Sequence, residues 1–389
     1  MTRVGFVLED HTWLGGVNYY RNLFSALSLL PDPWIKPVIF IGSQASPSVI
    51  ERLQFCEVVK TDAFNHRGPL AVLRKGTKRL LGQRDLYLRA LLARHRIDVL
   101  SHAADIILPR SIRTIGWIPD FQHLHIPSFF SNKELKRRDR EFARIANNCD
   151  RIIVSSVTAQ RDLARIAPHA IARSRVLRFV PEIDLSAADH TFAPLRAKYE
   201  IETEYFFLPN QFWIHKNHAA VIDALKILQD RDIHLLVLAT GNTFDSRSDS
   251  YFASLMAKLA NLGLRDSFRV LGVIPYSDMI SLMSHAVAVV NPSLFEGWSS
   301  TVEEGKLLGK TLLLSDLPVH REQNPKRAVF FDPHKPESLA DALIAVLRDS
   351  KRDEDASEER LTSYTLARQA FAAQYEAVVK ELIYPCKGR

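Results

Sequence analysis

The chain has 389 residues, of which 47% are hydrophobic and 24% are charged, and its formal net charge is +7. This length exceeds a single hydrophobic core and predicts two domains. No apolar run approaches the roughly 20 residues that span a bilayer, and the first residues do not resemble a secretory signal. Three widely spaced cysteines fit neither a disulfide framework nor a zinc site, which predicts a cytoplasmic protein.

The first half of the chain alternates strand-like and helix-like patterns. Its predicted strands are Arg3–Leu8, Pro37–Gly42, Asp98–Ser101, Thr114–Trp117, Arg151–Ser155 and Arg175–Phe179. Gly15 and Gly16 fall in the loop after the first strand, and a helix is predicted from Val17 to Leu30. The polar stretch Pro181–His190 breaks this alternation and predicts a linker.

The same alternation restarts in the second half. Its predicted strands are Tyr205–Leu208, His234–Thr240, Ser267–Leu271, Ala286–Val290 and Thr311–Leu314, with helices between them. A tail helix, Tyr364–Leu382, has apolar residues at helical spacing and must pack on another part of the protein. Strands that alternate with helices in both halves predict two doubly wound α/β domains.

Positive charge is concentrated between Arg67 and Arg96, where Asp85 is the only acidic residue and leucines separate the basic ones. A basic helix with an apolar face binds anionic lipid surfaces. The alternatives are a plain solvated helix face and an anchor for an anionic substrate. The pattern alone does not separate these interpretations.

Residues 286–316 carry the strongest functional signal. A strand, a polar loop, a helix and a second strand follow one another there, and ligands bind at such loops in open parallel sheets. Glu296 and Glu304 frame the loop, with seven residues between them. The amides of Ser300 and Thr301 begin the helix, and such N-termini bind anions. The alternative is a capping box, formed by Ser300 with Glu303 or by Thr301 with Glu304.

Pro292-Ser293 precedes the first glutamate, Gly297 follows it directly, and Gly305 directly follows the second. With these residues, the segment resembles the donor site of retaining glycosyltransferases of family 4, the group 1 enzymes. The resemblance implies a GT-B fold, in which two Rossmann-like domains face a deep interdomain cleft. It implies that Glu296 binds hydroxyls of the donor sugar and that Glu304 binds the nucleotide ribose. Dehydrogenase, P-loop and hydrolase motifs (GxGxxG after the first strand, GxxxxGK[ST], GxSxG and HExxH) are absent from the sequence.

Further donor contacts follow from the same resemblance. Lys216 matches a lysine that neutralises the donor diphosphate, and Gln211 stands where the family usually has an arginine. The remaining proposed contacts are Asn217, Gly241, Asn242, Gly297, the nucleobase loop Val273-Ile274, and Gly15 and Gly16. In the first domain, Asp120 and His123 are the candidates for contact with the reacting sugar or the acceptor, and His125 is an alternative to His123.

These features together predict an acceptor-binding domain over 1–185, a nucleotide-sugar-binding domain over 186–360, and a helix over 361–389 that returns to the first domain. The predicted reaction moves a hexose, with GDP-mannose as the first choice over other GDP- or UDP-sugars, to a lipid-linked or polysaccharide acceptor in cell-surface glycan synthesis. No cofactor, metal or nucleic acid is expected. The predicted location is cytoplasmic, at the inner face of the cytoplasmic membrane if the basic region binds lipid. A sugar-nucleotide 2-epimerase and a non-catalytic nucleotide-sugar-binding scaffold are the alternatives.

Overall fold

The computed structural model describes residues 1–9, 14–103, 107–109, 111–185, 192–245, 247–248, 250–349 and 357–384. The chain divides into two compact units. The first unit comprises Met1–Phe121, Asn132–Glu182 and Thr365–Arg389, and the second comprises Gln122–Ser131 and Ile183–Tyr364. Residues 186–190 of the predicted linker lie outside the described residues. The sequence assigns 122–131 to the first domain, whereas the structure groups this segment with the second unit.

The described residues of the first unit form a seven-stranded parallel sheet. Its strands are β1 (Thr2–Leu8), β2 (Ile35–Gly42), β3 (Glu57–Thr61), β4 (Val99–Ala103), β5 (Arg113–Ile118), β6 (Arg151–Val154) and β7 (Ser174–Val176). Their spatial order is β3-β2-β1-β4-β5-β6-β7. The order reverses between β1 and β4, which is the arrangement that opens a ligand crevice in doubly wound sheets.

The described residues of the second unit form a six-stranded parallel sheet in the order β10-β9-β8-β11-β12-β13. Its strands are β8 (Tyr205–Leu208), β9 (Leu236–Thr240), β10 (Phe268–Gly272), β11 (Val289–Asn291), β12 (Leu312–Ser315) and β13 (Ala328–Phe331). Here the order reverses between β8 and β11. The two adjoining loops therefore start at the same edge of the sheet.

Helices connect these strands. In chain order they are α1 (Leu14–Leu27), α2 (Pro47–Arg52), α3 (Pro69–Leu80), α4 (Leu86–Arg94), α5 (Gln122–His125), α6 (Asn132–Asn148), α7 (Val157–Ile166), α8 (Ala193–Lys198), α9 (His218–Asp230), α10 (Tyr251–Asn261), α11 (Tyr276–His285), α12 (Ser300–Leu307), α13 (Pro318–Glu322), α14 (Pro336–Arg348) and α15 (Ser357–Ile383). No helix within the described ranges is both long and apolar enough to cross a membrane.

Each sheet is buried on both faces, so its central strands are continuous apolar runs such as Tyr205–Leu208. In the first unit, Phe371, Tyr375 and Val379 of α15 belong to the same core cluster as Phe6 of β1. In the second unit, Gly305 allows close packing of α12 on β12, because a Cβ there would clash with Cδ2 of Leu312.

The predicted fold class, two Rossmann-like α/β arrangements, is confirmed. Two strands were not predicted, and one predicted loop is wrong. β3 and β13 were not predicted, because Glu57–Thr61 and Ala328–Phe331 are short strands at sheet edges and mostly half-buried. Helix α1 begins at Leu14, so Gly15 and Gly16 lie in its first turn and not in a loop before it.

Candidate functional site

Two of the predicted catalytic residues, Lys216 and Glu296, contact each other in the second unit. Lys216 ends a 3₁₀ turn after β8, and Glu296 lies in the loop after β11. Nζ of Lys216 donates a hydrogen bond of 2.6 Å to Oε1 of Glu296. The Lys216 and Glu296 side chains are only 14% and 8% exposed. A pair so shielded from water exerts a stronger field on a nearby ligand than a surface pair would.

Glu296 is anchored through one of its two carboxylate oxygens. Oε1 also accepts a hydrogen bond from Oγ of Ser293 at 2.7 Å and a longer one from Nδ2 of Asn291 at 3.5 Å. No described residue donates to Oε2. Burial alone would raise the pKa of the Glu296 carboxyl group, but the Lys216 ammonium and then the His320 ring more than offset it, so this pKa lies below its ordinary value. The carboxylate is therefore charged and has one oxygen left to accept from a ligand.

A buried polar network supports this loop from beneath. Nδ2 of Asn291 donates to Oγ of Ser299 at 2.9 Å. Oγ of Ser293 lies 2.6 Å from Oδ1 of Asn291, so its single proton is shared between this oxygen and Oε1 of Glu296. Asn210, at the end of β8, donates to Asn291 and accepts from the Thr301 hydroxyl, both at 3.3 Å. Buried polar groups that satisfy one another fix a single geometry. The sequence analysis did not assign Asn210, Asn291 or Ser299 to the site; the only sequence signal is that polar residues follow buried strands.

Helix α12 begins differently from either capping box considered in the sequence. Its N-cap is Ser299, whose hydroxyl accepts a hydrogen bond from the Val302 amide. Glu303 does not cap the helix, because its carboxylate instead accepts from Gln323 at 2.9 Å and from Lys306. No hydrogen bond within the described residues uses the backbone amides of Ser300 and Thr301. These two donors remain available at the helix N-terminus.

Glu304, the second glutamate of the motif, is 7% exposed and lies on the same helix. Its Oε1 accepts a hydrogen bond of 2.9 Å from the Tyr276 hydroxyl at the start of α11. Burial raises the pKa of Glu304 to about 7, although the Tyr276 hydrogen bond acts in the opposite direction. Like Glu296, this carboxyl group has one oxygen that accepts a hydrogen bond and one to which no described residue donates.

The raised pKa of Glu304 predicts a pH-dependent stability. The folded pKa of about 7 lies above the ordinary 4.5, so the folded state retains a proton that the unfolded chain releases. The contribution of Glu304 to the free energy of unfolding should be greatest below pH 4.5 and should be lost as pH rises through 7. The loss should be at most about 3 kcal/mol. We expect the melting temperature of Glu304→Gln, minus that of the wild type, to increase between pH 5 and pH 8. Parallel pH profiles for the two proteins would contradict the assignment.

The side chains of Gln211 and Asn217 are used within the protein. Oε1 of Gln211 accepts from the Asn242 amide at 2.8 Å, and Nδ2 of Asn217 donates to the Pro333 carbonyl at 2.9 Å. Gly241 has φ of +138°, and a Cβ at this position would lie only 2.6 Å from the Asn210 carbonyl oxygen. Glycine is therefore required for close approach of the β8 and β9 ends. These residues shape the loop after β8; their contact with a donor stays a prediction.

The other predicted donor residues of this unit lie in the loops around the two glutamates. Gly297 directly follows Glu296 and is half-buried. Val273 and Ile274 follow β10, and lie two to three residues before Tyr276 in the chain. His320 of α13 was not identified from sequence. It is fully buried, its Nδ1 donates to the Ser315 carbonyl, and burial lowers its pKa despite the opposing field of Glu296.

His123 and His125 lie on α5, in the segment 122–131 that groups with the second unit. His123 is buried, and the His125 ring lies 5.1 Å from that of Phe295. Arg247 bonds this segment to the loop after β8: its guanidinium donates to Gln122 at 2.9 Å and contacts Nδ1 of His215 at 3.1 Å. The segment with both histidines is thus attached to the unit that holds Lys216 and Glu296.

The remaining predicted residues belong to the first unit. Asp120 follows β5, and its carboxylate accepts a hydrogen bond of 3.0 Å from Arg138. Gly15 is exposed and Gly16 is buried in the first turn of α1. Among the described residues, no group of three or more His, Cys, Asp or Glu side chains could hold a metal ion.

Residues 193–361 match the family model described as glycosyl transferases group 1. Among curated proteins, the O-antigen chain mannosyltransferase RfbU of Salmonella typhimurium is 27% identical over 139 residues. That match spans 36% of this chain and only 37% of the length of RfbU.

Solved structures resemble the whole chain. A glycosyltransferase from Rickettsia africae superposes with a TM-score of 0.70 at 12% identity and covers 99% of both chains. Anabaena HepE in complex with UDP-glucose superposes with a TM-score of 0.67 at 14% identity, covering 98% of this chain and 100% of HepE. The chain therefore has the GT-B fold, and its residues 193–361 carry the sequence pattern of the group 1 glycosyltransferases.

Proposed function

We propose that this protein is a retaining glycosyltransferase that moves a hexose from a nucleotide diphosphate sugar to a saccharide or lipid-linked acceptor. The observation that carries this proposal is the Lys216–Glu296 pair beside the N-terminus of α12, with Glu304 on the same helix. This arrangement offers a cation and two backbone amides that donate to no described residue. It also offers two carboxyl groups, each with one oxygen to which no described residue donates. A sugar nucleotide presents the matching groups: a diphosphate between two sets of hydroxyls.

In this proposal the diphosphate binds between the Lys216 ammonium and the amides of Ser300 and Thr301. Negative charge grows on the diphosphate as the glycosidic bond breaks. A fixed cation and oriented amides stabilise that charge more in the transition state than in the ground state. Because Lys216 is already held by Glu296, it needs no rearrangement to act.

The two glutamates would bind the two sugars of the donor. A carboxylate oxygen accepts hydrogen bonds from vicinal hydroxyls, so Oε2 of Glu296 would hold the hexose and Oε2 of Glu304 the ribose. We propose no protein nucleophile. The acceptor oxygen would attack the anomeric carbon on the face that the phosphate leaves, and its proton would pass to the departing phosphate oxygen.

Two relatives support the choice of substrate class. RfbU is named as an O-antigen chain mannosyltransferase, and HepE was solved with UDP-glucose. We therefore propose a GDP- or UDP-hexose donor, with GDP-mannose first, and an acceptor in cell-surface glycan synthesis. Asp120 and His123 are the proposed acceptor contacts, and the proposed location is the cytoplasmic side of the membrane.

A product assay tests the proposal. The protein would be incubated with UDP- and GDP-hexoses, with and without a lipid-linked glycan extract, and the products separated by chromatography. We expect hexose in the glycan fraction and slow release of free hexose of unchanged configuration at C2. Release of the C2 epimer without acceptor would identify an epimerase. Donor binding without transfer or hydrolysis would identify a scaffold.

The surface of α3 supports a proposed contact with anionic lipid. Val72, Leu73 and Leu80 are exposed apolar residues on this helix, with Leu80 86% exposed. Lys75 and Arg79 are exposed between them. Arg74 is an exception to the predicted basic surface, because it is buried in ion pairs with Asp85 and Glu9, each at 2.7 Å. An apolar face rimmed by cations is the composition that binds the interface of an anionic membrane.

Vesicle sedimentation tests this contact. Replacing Lys75, Lys78 and Arg79 with glutamine should weaken binding to phosphatidylglycerol vesicles roughly a hundredfold, since each basic residue near such a surface contributes about 1 kcal/mol. Binding of the wild type should decrease with added salt. The matched control replaces three exposed cations of the second unit, Lys198, Arg231 and Lys335, and should bind as the wild type does. Equal binding by both triple variants would contradict the proposal.

A further inference from the structure

Tyr276 is bonded to Glu304 but belongs to no motif of the sequence. Its hydroxyl donates to Oε1 of Glu304 at 2.9 Å, across 28 residues of chain. Glu304 is almost fully buried, and this is the only hydrogen bond that its carboxyl group makes with the described residues. A single donor thus determines which carboxyl oxygen is occupied and which one is open.

The loop that carries Tyr276 presents apolar surface next to this polar contact. Val273 is 78% exposed and Tyr276 is 39% exposed. Gly272 has φ of +70°, a left-handed conformation that glycine adopts readily, and its carbonyl accepts from the Gly241 amide at 2.9 Å. The turn at the end of β10 is therefore fixed, and it directs an aliphatic and an aromatic side chain toward solvent.

A nucleoside matches this surface, because its base is a planar, partly apolar ring and its ribose carries hydroxyls. Aromatic side chains stack with nucleobases of any type because each base has a π face. The open oxygen of Glu304 accepts from a ribose hydroxyl at the same time. An exposed tyrosine bonded to a buried carboxyl group is therefore suited to a nucleoside and not to a simple phosphate.

We propose that Tyr276 is a nucleoside-positioning residue, whose hydroxyl orients Glu304 so that Oε2 meets the ribose hydroxyls and whose ring, with Val273, contacts the base. This inference rests on the proposed function, because it assumes that a nucleoside diphosphate binds the second unit. It adds two roles for Tyr276: its hydroxyl acts on the ribose through Glu304, and its ring contributes separately to nucleotide affinity.

Two variants separate the two roles. Tyr276→Phe removes only the hydroxyl, and Tyr276→Ala also removes the ring. Affinity for UDP and GDP should fall roughly five- to tenfold in Tyr276→Phe, the usual effect of one hydrogen bond, and further in Tyr276→Ala. The loss in Tyr276→Phe should disappear when UDP is replaced by its 2′,3′-dideoxy analogue, because the hydroxyls that Glu304 binds are then missing. Calorimetric titration measures each affinity.

A pH series provides a second readout. Burial and the Tyr276 hydrogen bond are the two causes that set the pKa of Glu304, and they act in opposite directions. A ribose hydroxyl donates best to the ionised carboxylate, so UDP affinity should increase as pH rises through about 7 in the wild type. In Tyr276→Phe the midpoint of this increase should move to higher pH, because the bond that favours ionisation is lost.

The matched control is Tyr199→Phe. Tyr199 donates a similar hydrogen bond of 2.6 Å to Asp278 of α11, so this variant also loses a tyrosine–carboxylate bond in the same unit. It should bind UDP as the wild type does. Wild-type affinity in both Tyr276 variants, or an equal loss for UDP and its dideoxy analogue, would overturn this inference alone. A wild type that binds neither UDP nor GDP would overturn the proposed function with it.

Discussion

Replacing Lys216 with methionine is expected to lower turnover by about 10²–10³-fold, the usual loss when one donor to a developing charge is removed. Methionine keeps much of the length of the side chain and removes the ammonium. The buried Glu296 then keeps only its bonds to Ser293 and Asn291, so the variant should also lose roughly 1–3 kcal/mol of stability. Turnover should be measured with saturating donor, below the melting temperature of the variant.

The control for this variant is Lys226→Met on α9. Lys226 also pairs with a carboxylate, Asp230, but on the surface of the unit. Surface ion pairs contribute little, so this variant should keep the stability and turnover of the wild type. If Lys216→Met retained turnover within fivefold of the wild type, the ammonium would not be the group that stabilises the leaving diphosphate.

The second large effect is expected for Glu296→Gln. The amide keeps the shape of the side chain but is a weaker acceptor for sugar hydroxyls than a carboxylate. Each charge-assisted hydrogen bond contributes about 1.5–3 kcal/mol, so the loss of two predicts about a 10²–10⁴-fold lower kcat/KM. Lys216 stays charged in this variant, so nucleoside diphosphate affinity should change much less than transfer.

Glu303→Gln provides a matched comparison for Glu296→Gln. Glu303 is also a buried glutamate with a lysine partner, but its carboxylate contacts Gln323 and Lys306. We expect transfer by Glu303→Gln within a few-fold of the wild type. Similar transfer rates for both glutamine variants would show that Glu296 does not bind the donor sugar.

The sequence predicted the elements whose pattern is local. Parallel strands buried on both faces are continuous apolar runs, so Tyr205–Leu208 was identified with the bounds that the structure has. The half-buried edge strand Glu57–Thr61 lacks such a run and was missed. The glycines at 15 and 16 suggested a loop, but they lie in the first turn of α1, and propensity is a weak guide where tertiary packing decides.

The same division applies to the site. Glu296, Glu304 and Lys216 could be predicted as site residues because motifs within short segments point to them, and their roles stay predictions. Their partners are distant in the chain: 80 residues separate Lys216 from Glu296, and 28 separate Tyr276 from Glu304. Hydrophobic periodicity is a local pattern and does not predict contacts between residues so far apart in the chain. Arg74 shows the converse. The sequence placed it in the basic surface, but the structure buries it in ion pairs with Asp85 and Glu9.

The central claim is that a diphosphate binds between the Lys216 ammonium and the start of α12. A crystal structure with bound UDP or GDP tests it most directly. The account predicts phosphate oxygens within hydrogen-bonding distance of Nζ of Lys216 and of the Ser300 and Thr301 amides, with the ribose against Oε2 of Glu304. A nucleotide bound elsewhere, with its phosphates out of reach of Lys216 and of both amides, would contradict it.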